Sequence, residues 1–353
     1  MLRELCVERR RWLRADEFED AVAVCNLLPG PASTQLGIFC AWRVAGRPGA
    51  LIGGTAFILP GLVLVLALAV LFLADSAPAW VRGAGSGAGA AVAAVAVQAG
   101  IGLVPASWQR AQARSRWLAY ALVGGAAAAT LGPWLVVVLL GCGILELGLR
   151  KAGTRATDRL SAYGWPLAAG GAAATGSLLA LTWMAFKVGA LSYGGGFVII
   201  PLMQADAVER YRWMTDGEFL SAVALGQITP GPVVHTVAVV GYAASGIGGG
   251  LLAALVAFGP SFAFILFGAD RFDRLRADHR ARAFLGGAGP AAIGAIIGVA
   301  IPLTLALAEP WQFTVLAGAT LLLLALRRGV VLTLLLAGAV GVLIAVAGGP
   351  LPR

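Results

Sequence analysis

The sequence predicts an all-α polytopic membrane protein made of two inverted-topology repeats. Three observations support this fold class: long apolar runs, an internal duplication, and an alternation of basic and neutral loops. The chain has 353 residues, of which 59% are hydrophobic and only 12% are charged, against about 25% charged in an average soluble domain. Each repeat is expected to contain a re-entrant helical hairpin broken at Pro-Gly-Pro and about four or five transmembrane helices of about 20 residues.

The apolar runs are long enough to cross a bilayer. "LIGGTAFILPGLVLVLALAVLFL" at 51–73 is one example, and about 20 such residues span the hydrocarbon core. The net charge of +9 comes mostly from Arg residues in short loops between these runs. Such placement marks the cytoplasmic side of a membrane protein, so nucleic acid is not predicted as a partner. The charged N-terminus lacks the apolar centre of a cleavable signal peptide.

Neither a cofactor nor an enzymatic activity is predicted. The four cysteines, Cys6, Cys25, Cys40 and Cys142, form no CxxC pair and no cluster with histidine. They are interpreted as small packing residues, not as metal ligands or disulfide partners. An intramembrane enzyme is disfavoured because the sequence has no Ser/His/Asp set, no HExxH and no paired intramembrane carboxylates.

The duplication is visible directly in the letters. "VERRRWLRADEFEDAVAVCNLLPGP" at 7–31 aligns with "VERYRWMTDGEFLSAVALGQITPGP" at 208–232, so equivalent residues lie 201 positions apart. The similarity continues with small slips, and Gly46 then matches Gly246, 200 positions on. A duplication of this length predicts two homologous domains, here placed at 1–160 and 161–353.

The loop charges predict that the two domains are inverted relative to each other. In the first half, "LRKAGTRATDR" at 149–159 is basic and the loop 74–82 is nearly neutral. In the second half, the loop 243–248 has no charge, whereas "DRFDRLRADHRAR" at 270–282 carries five Arg. Under the positive-inside rule, matching loops therefore lie on opposite sides. Inverted repeats of this kind are common in secondary transporters.

Each Pro-Gly-Pro is predicted to be the tip of a re-entrant hairpin, at about 16–42 and about 216–243. The arms are too short to span the bilayer alone, and the residue before proline avoids the helical region. Gly30 and Gly231 permit a sharp turn, and Pro31 and Pro232 suit the first turn of the second arm. A fresh helix N-terminus then offers unpaired N–H groups and partial positive charge, which attract anions.

Two opposed tips at mid-membrane would form an anion cradle from mostly uncharged groups. The alternative is that these polar residues only cap the broken helices. His235 is either a carrier of a coupled proton or a hydrogen-bonded structural residue, and the second interpretation is favoured. The candidate binding residues are Asn26, Pro29, Gly30, Pro31, Ser33, Thr34 and Gln35 in the first tip, and Gln227, Thr229, Pro230, Gly231, Pro232, His235 and Thr236 in the second.

A probable span at about 178–202 adds further candidates. Lys187 is an ionisable residue within this apolar run, which makes it a functional candidate unless it snorkels to an interface. The "SYGGG" segment that follows is expected to interrupt the helix and expose amides, with close helix packing as the alternative. The candidates here are Lys187, Ser192, Tyr193, Gly194, Gly195 and Gly196. Packing is the favoured interpretation for the small residues at 83–100.

In combination, these motifs resemble the chromate transporter family. The resemblance lies in the paired "PGP" tips, "GALSYGGGFVIIPL", and the continuations "AGRPGALIGGTAFILPG" and "SGIGGGLLAALVAFGPSF". It covers nearly the whole chain as two homologous domains. It implies export of chromate across the bacterial inner membrane, with sulfate as a competing dianion and coupling to the proton gradient. The partners implied are an oxyanion and the lipid bilayer. The oligomeric state is left open, with a homodimer as one candidate.

The two repeats differ at their beginnings. The second has a span before "VERYRW", and the sequence shows no equivalent before "VERRRW", so the first repeat is expected to lack its opening span. Lys187 therefore has no first-half counterpart. Either the start site lies too far downstream or the natural chain is short here. A sulfate or other oxyanion carrier, and a truncated non-transporting membrane protein, remain the alternative functions.

Overall fold

All regular secondary structure in the described part of the chain is helical. A computed structural model describes residues 2–25, 30–74, 76–131, 134–152, 178–192, 197–269 and 278–352, and no strand occurs within these ranges. This confirms the all-α class. Four segments are long and apolar enough to cross a membrane: Ala32–Phe72, Ala79–Gln109, Val233–Gly268 and His279–Leu305.

The helices of the first half follow a short π-helical segment. That segment is Glu4–Arg9, and the α-helices are α1 (Ala15–Cys25), α2 (Ala32–Phe72), α3 (Ala79–Ala90), α4 (Val92–Gln109), α5 (Arg114–Thr130) and α6 (Leu135–Ala152).

The second half contains α7 (Leu178–Leu191), α8 (Ile199–Gln204), α9 (Asp216–Ile228), α10 (Thr236–Gly268), α11 (His279–Gly298), α12 (Ala300–Leu305), α13 (Pro310–Thr320) and α14 (Val330–Val346). A π-helical segment, Ala205–Arg210, follows α8, and another, Leu321–Ala325, follows α13. A short 3₁₀ turn, Val233–His235, leads directly into α10. The predicted span at 178–202 is therefore not one continuous helix, because α7 ends at Leu191.

Large aliphatic side chains cover the outside of the helix bundle. Ile52, Leu122 and Leu255 are each more than 70% exposed, and many other Leu and Val residues are exposed. Extensive apolar exposure of this kind would be costly in water, since burial contributes about 25 cal/mol per Å². It is the surface expected of a protein surrounded by lipid.

Small residues bring the helices close together inside. A Cβ added to Gly83 or Gly87 would overlap main-chain atoms of α14, and one added to Gly124 would overlap main-chain atoms of α11. These close approaches confirm that the Gly- and Ala-rich stretch at 83–100 serves helix packing, as small residues do in membrane bundles. α11 also contacts α4 and α6, and α2 packs directly against α10.

The two longest helices are kinked at equivalent places. In α2 the backbone leaves the helical region at Ala45 and Gly46, and in α10 it does so at Ser245 and Gly246. Gly46 and Gly246 have φ angles of +62° and +63°, a conformation that essentially only glycine adopts at the associated ψ. Each long helix is therefore a short arm, 32–44 or 236–244, followed by a longer rod.

The duplicated N-terminal segments also share their backbone conformation. Arg11 and Arg212, 201 positions apart, both have positive φ angles, of 53° and 51°. Each follows a π-helical segment, and the next amide closes it with a hydrogen bond: Trp12 N to Cys6 O and Trp213 N to Ala207 O, both 2.8 Å. The sequence similarity thus extends to local structure, while the inverted orientation of the halves stays a prediction.

Candidate anion site at two broken helices

The first helix break exposes the start of the short arm of α2. Gly30 has a φ angle of +119°, Pro31 is extended, and the helix begins at Ala32. The Pro31 carbonyl accepts hydrogen bonds from the Thr34 and Gln35 amides, each 3.0 Å. The amides before Thr34 have no intrahelical acceptor, as in the first turn of any helix.

The second break has the same shape. α9 ends at Ile228, and Thr229 is extended, as predicted for a residue before proline. Gly231 has a φ angle of +128°, and Pro232 is again extended. The equivalent glycines therefore make the predicted sharp turn, although both following prolines precede their helix and do not occupy its first turn.

Side-chain capping does not explain the polar residues at these breaks. Pro31 and Pro232 occupy the N-cap positions, and neither helix start has a side-chain cap hydrogen bond. The Thr236 hydroxyl is satisfied within its own helix, because it donates to the Val233 carbonyl at 2.9 Å.

At the first tip, two side chains and one main-chain carbonyl, from three helices, surround Gly30. A Cβ added there would lie 2.6 Å from Gln35 Nε2, 3.1 Å from Ser261 Oγ and 3.4 Å from the Gly189 carbonyl oxygen. Thr34, Gln35 and Ser261 are fully buried, and Ser33 is exposed. The Gln35 amide therefore folds back over the tip glycine, with α10 on one side and the end of α7 on another.

At the second tip, an imidazole takes the equivalent place. A Cβ added to Gly231 would lie 2.6 Å from His235 Cε1. His235 is fully buried and packs edge-to-face on Phe258 with a centroid distance of 5.4 Å. The Ile58 main chain approaches the ring, but neither ring nitrogen has a hydrogen-bond partner among the residues that the structure describes.

Buried polar atoms without a hydrogen-bond partner concentrate around the two tips. Leaving such an atom unpaired costs about 1–3 kcal/mol, so a cluster of them indicates a place prepared for a polar ligand. Among the described residues the unpaired atoms near the tips and the end of α7 are Thr34 Oγ1, Ser192 Oγ, Gln227 Nε2, Thr229 Oγ1, both His235 ring nitrogens and Ser261 Oγ.

Lys187 is held by an ion pair that the sequence did not predict. Its ammonium group binds the carboxylate of Asp206, in the π-helical segment after α8. The Lys187 side chain is 17% exposed and that of Asp206 is 1% exposed. Lys187 therefore does not snorkel to water, and its charge is neutralised inside the protein. Asp206 Oδ1 has no hydrogen-bond partner within the described part of the chain.

Several predicted site residues lie outside the described residues. These are Asn26, Pro29, Tyr193, Gly194, Gly195 and Gly196. Of the rest, Pro31, Ser192, Thr229 and Pro232 are buried, Gln227 is half-buried, and Pro230 is exposed.

Glu146 on α6 is another buried charge, and both of its carboxylate oxygens accept hydrogen bonds. Its carboxylate, in a residue 3% exposed, accepts hydrogen bonds from Arg116 at 3.1 Å, Tyr120 at 3.1 Å and Arg150 at 2.8 Å. Because its partners are complete, this cluster stabilises the contact between α5 and α6 and leaves no group free for a ligand.

Sequence analysis also missed Ser261 and Asp206. Ser261 belongs to α10 but contacts the tip at Gly30, some 230 residues earlier in the chain. Asp206 is itself the one carboxylate in an apolar run. The sequence nevertheless contained a clue to the role of each residue. Ser261 stands where the first half has Gly61, 200 positions earlier, and an intramembrane carboxylate usually has a cationic partner.

The molecule thus has the architecture of a multi-pass helical membrane protein whose two broken helices bury polar groups, as in secondary transporters. The chain belongs to the chromate transporter family, whose model, described as "Chromate transporter", matches residues 1–147 and 179–342. It is therefore a membrane transporter by family and not an enzyme.

Curated relatives agree with this assignment. The chain is 30% identical over 315 residues to a chromate transport protein of Cupriavidus metallidurans, covering 84% of this chain and 75% of the relative. It is 29% identical over 327 residues to a chromate transport protein of Pseudomonas aeruginosa, covering 88% and 76%. A probable chromate transport protein of Synechococcus elongatus is 30% identical over 309 residues, covering 84% and 77%. No solved structure matches the chain.

Proposed function

We propose that this protein exports chromate across the bacterial inner membrane in exchange with, or driven by, protons, and that it binds the dianion at its two helix breaks. The observation that carries the proposal is the cluster of unpaired buried donors beside Gly30 and Gly231. The matching domains, proposed at 1–160 and 161–353, each contribute one break.

The chemistry of the breaks suits a tetrahedral oxyanion. Each break ends in a new helix start, whose N–H groups and partial positive charge favour an anion. Irregular backbone at membrane depth is tolerated where it is buried or lines a polar cavity. The surrounding donors are hydroxyl, amide and imidazole groups, which hold an anion through hydrogen bonds without a net charge that would prevent its release.

Lys187 is proposed to assist binding only when its pair with Asp206 opens. In the structure its charge is matched by that carboxylate, so it adds no net attraction for an anion. Opening of this pair would leave the ammonium free to attract the dianion.

The decisive experiment is transport by the purified protein in liposomes, with and without a pH gradient. Chromate movement that increases with a pH gradient is expected, with sulfate competing. Movement of sulfate but not chromate would support the alternative of another oxyanion carrier. Absence of both, from correctly inserted protein, would overturn the transport proposal and favour a non-transporting membrane protein.

The proposed inversion of the halves has its own test. Ala45 and Ser245 are exposed residues at the two equivalent kinks, and the four native cysteines are buried, so Ala45→Cys and Ser245→Cys should give clean labelling. We expect a membrane-impermeant thiol reagent to reach position 45 from the cytoplasmic side and position 245 from the opposite side. Labelling of both from one side would refute the inversion.

A further inference from the structure

The two helix breaks face one turn of the same helix, α10. Ser261 lies beside Gly30 of the first break, and Phe258 packs on His235 of the second. Phe258 and Ser261 are three residues apart, so they share a face of the helix with Cβ atoms about 5–6 Å apart. The breaks are therefore neighbours in space, and α10 forms a common wall between them.

The second break packs against α2, and the α2 surface there differs from the α10 surface at the first break. Gly61 stands where α10 has Ser261, counting 200 positions. A Cβ added to Gly61 would overlap the Pro230 carbonyl oxygen and lie 2.6 Å from His235 Cε1. The second break therefore packs directly on the α2 backbone, and no side chain could be fitted at residue 61.

Ser261 and Thr34 are the buried hydroxyl residues of the helices that meet at the first break. Both residues are fully buried, and both hydroxyl oxygens lack a hydrogen-bond partner among the described residues. Ser261 Oγ lies 3.1 Å from the position of a Cβ on Gly30, so it points at the tip. A serine on an apolar helix normally donates to the backbone carbonyl of the residue four positions earlier. For Ser261 that carbonyl belongs to Ala257, and Gly189 packs closely against it.

We propose that Ser261 is a substrate-contacting residue that donates its hydroxyl hydrogen to the transported oxyanion at the first break. This rests on the proposed function and deepens it, because it makes the site unequal. The first break binds through hydroxyl groups carried by α2 and α10, whereas the second contributes its imidazole and its main chain. The roles of residues 61 and 261 cannot be exchanged.

The test uses Ser261→Ala, which removes one oxygen atom. A hydrogen bond to a charged group contributes about 1.5–3 kcal/mol, so we expect an apparent Kd for chromate and for sulfate that is roughly 10- to 100-fold higher. Binding is measured in detergent as the rise in melting temperature with added anion. Transport in liposomes is measured in parallel.

A second readout separates binding from structure. Without anion, Ser261→Ala should melt at the same temperature as the wild type or higher, because the change removes an unpaired buried hydroxyl. A structural serine would melt lower. Ser221→Ala is the matched control, since the Ser221 hydroxyl already donates to the Gly217 carbonyl at 2.9 Å, and it should bind anion as the wild type does.

The outcomes distinguish this inference from the function on which it rests. Wild-type anion affinity in Ser261→Ala, together with active chromate transport, would overturn the role of Ser261 and leave the proposed function standing. A lower melting temperature with unchanged affinity would do the same. A wild-type protein that neither binds nor transports either anion would overturn both.

Discussion

The two Pro-Gly-Pro breaks have nearly the same backbone and different side chains. Gly30 and Gly231 have φ angles within ten degrees of each other, but the first is covered by the Gln35 amide and Ser261, and the second by the His235 ring. The comparison teaches that the same Pro-Gly-Pro sequence gives the same break geometry in both halves of the chain. The chemistry presented at each break is then free to diverge, because it depends on side chains one turn further on and on the opposite helix.

The largest effect is expected from Gly231→Leu, which should abolish chromate transport while the protein still inserts. A φ angle of +128° disfavours any L side chain by about 1–3 kcal/mol, and the new side chain must displace the buried His235 ring. Transport in liposomes and proteolytic mapping of insertion measure the two parts. Gly259→Leu is the control, since an added Cβ there meets nothing within 4 Å.

The matched pair Gly30→Ala and Gly231→Ala sharpens the comparison of the breaks. An added Cβ meets the end of the flexible Gln35 side chain in the first and a ring carbon of His235 in the second. We therefore expect Gly231→Ala to lose more transport than Gly30→Ala. Equal losses would show that backbone strain alone decides the effect, and that the covering side chains do not matter.

The ion pair between Lys187 and Asp206 in the second half should show a smaller but clear effect on stability. Lys187→Met or Asp206→Leu alone leaves a buried charge unpaired, which costs about 3–5 kcal/mol. The double variant Lys187→Met/Asp206→Leu should recover most of the melting temperature. If the recovered protein also binds chromate with wild-type affinity and keeps its pH dependence, then Lys187 and Asp206 are structural and take no part in coupling.

The smallest effect is expected at the two kinks, and it should be equal in both halves. Gly46→Ala and Gly246→Ala introduce a side chain into a backbone region that costs about 1–3 kcal/mol for residues other than glycine. Nothing lies within 4 Å of either added Cβ, so no clash is superimposed on this cost. Thermal unfolding of the two variants measures their losses of stability. Losses that differ by more than about 1 kcal/mol would mean that the two kinks are not equivalent.

Much of the candidate site could be predicted because proline and glycine act on the residues next to them. The end of α9 at Ile228 and the turn at Gly231 follow from the preceding-proline rule and from the freedom of glycine. The kink at Gly46 was missed because a glycine within an apolar run is equally compatible with close helix packing.

The sequence by itself determined the membrane class and the positions of both breaks, since each depends on hydrophobicity or on local backbone sterics. Only the tertiary structure decided what faces the breaks. Ser261 reaches Gly30, Gly61 admits the Pro230 carbonyl, and Asp206 neutralises Lys187. These contacts join residues that are 19 to more than 200 positions apart, and helix packing, not local preference, brings them together.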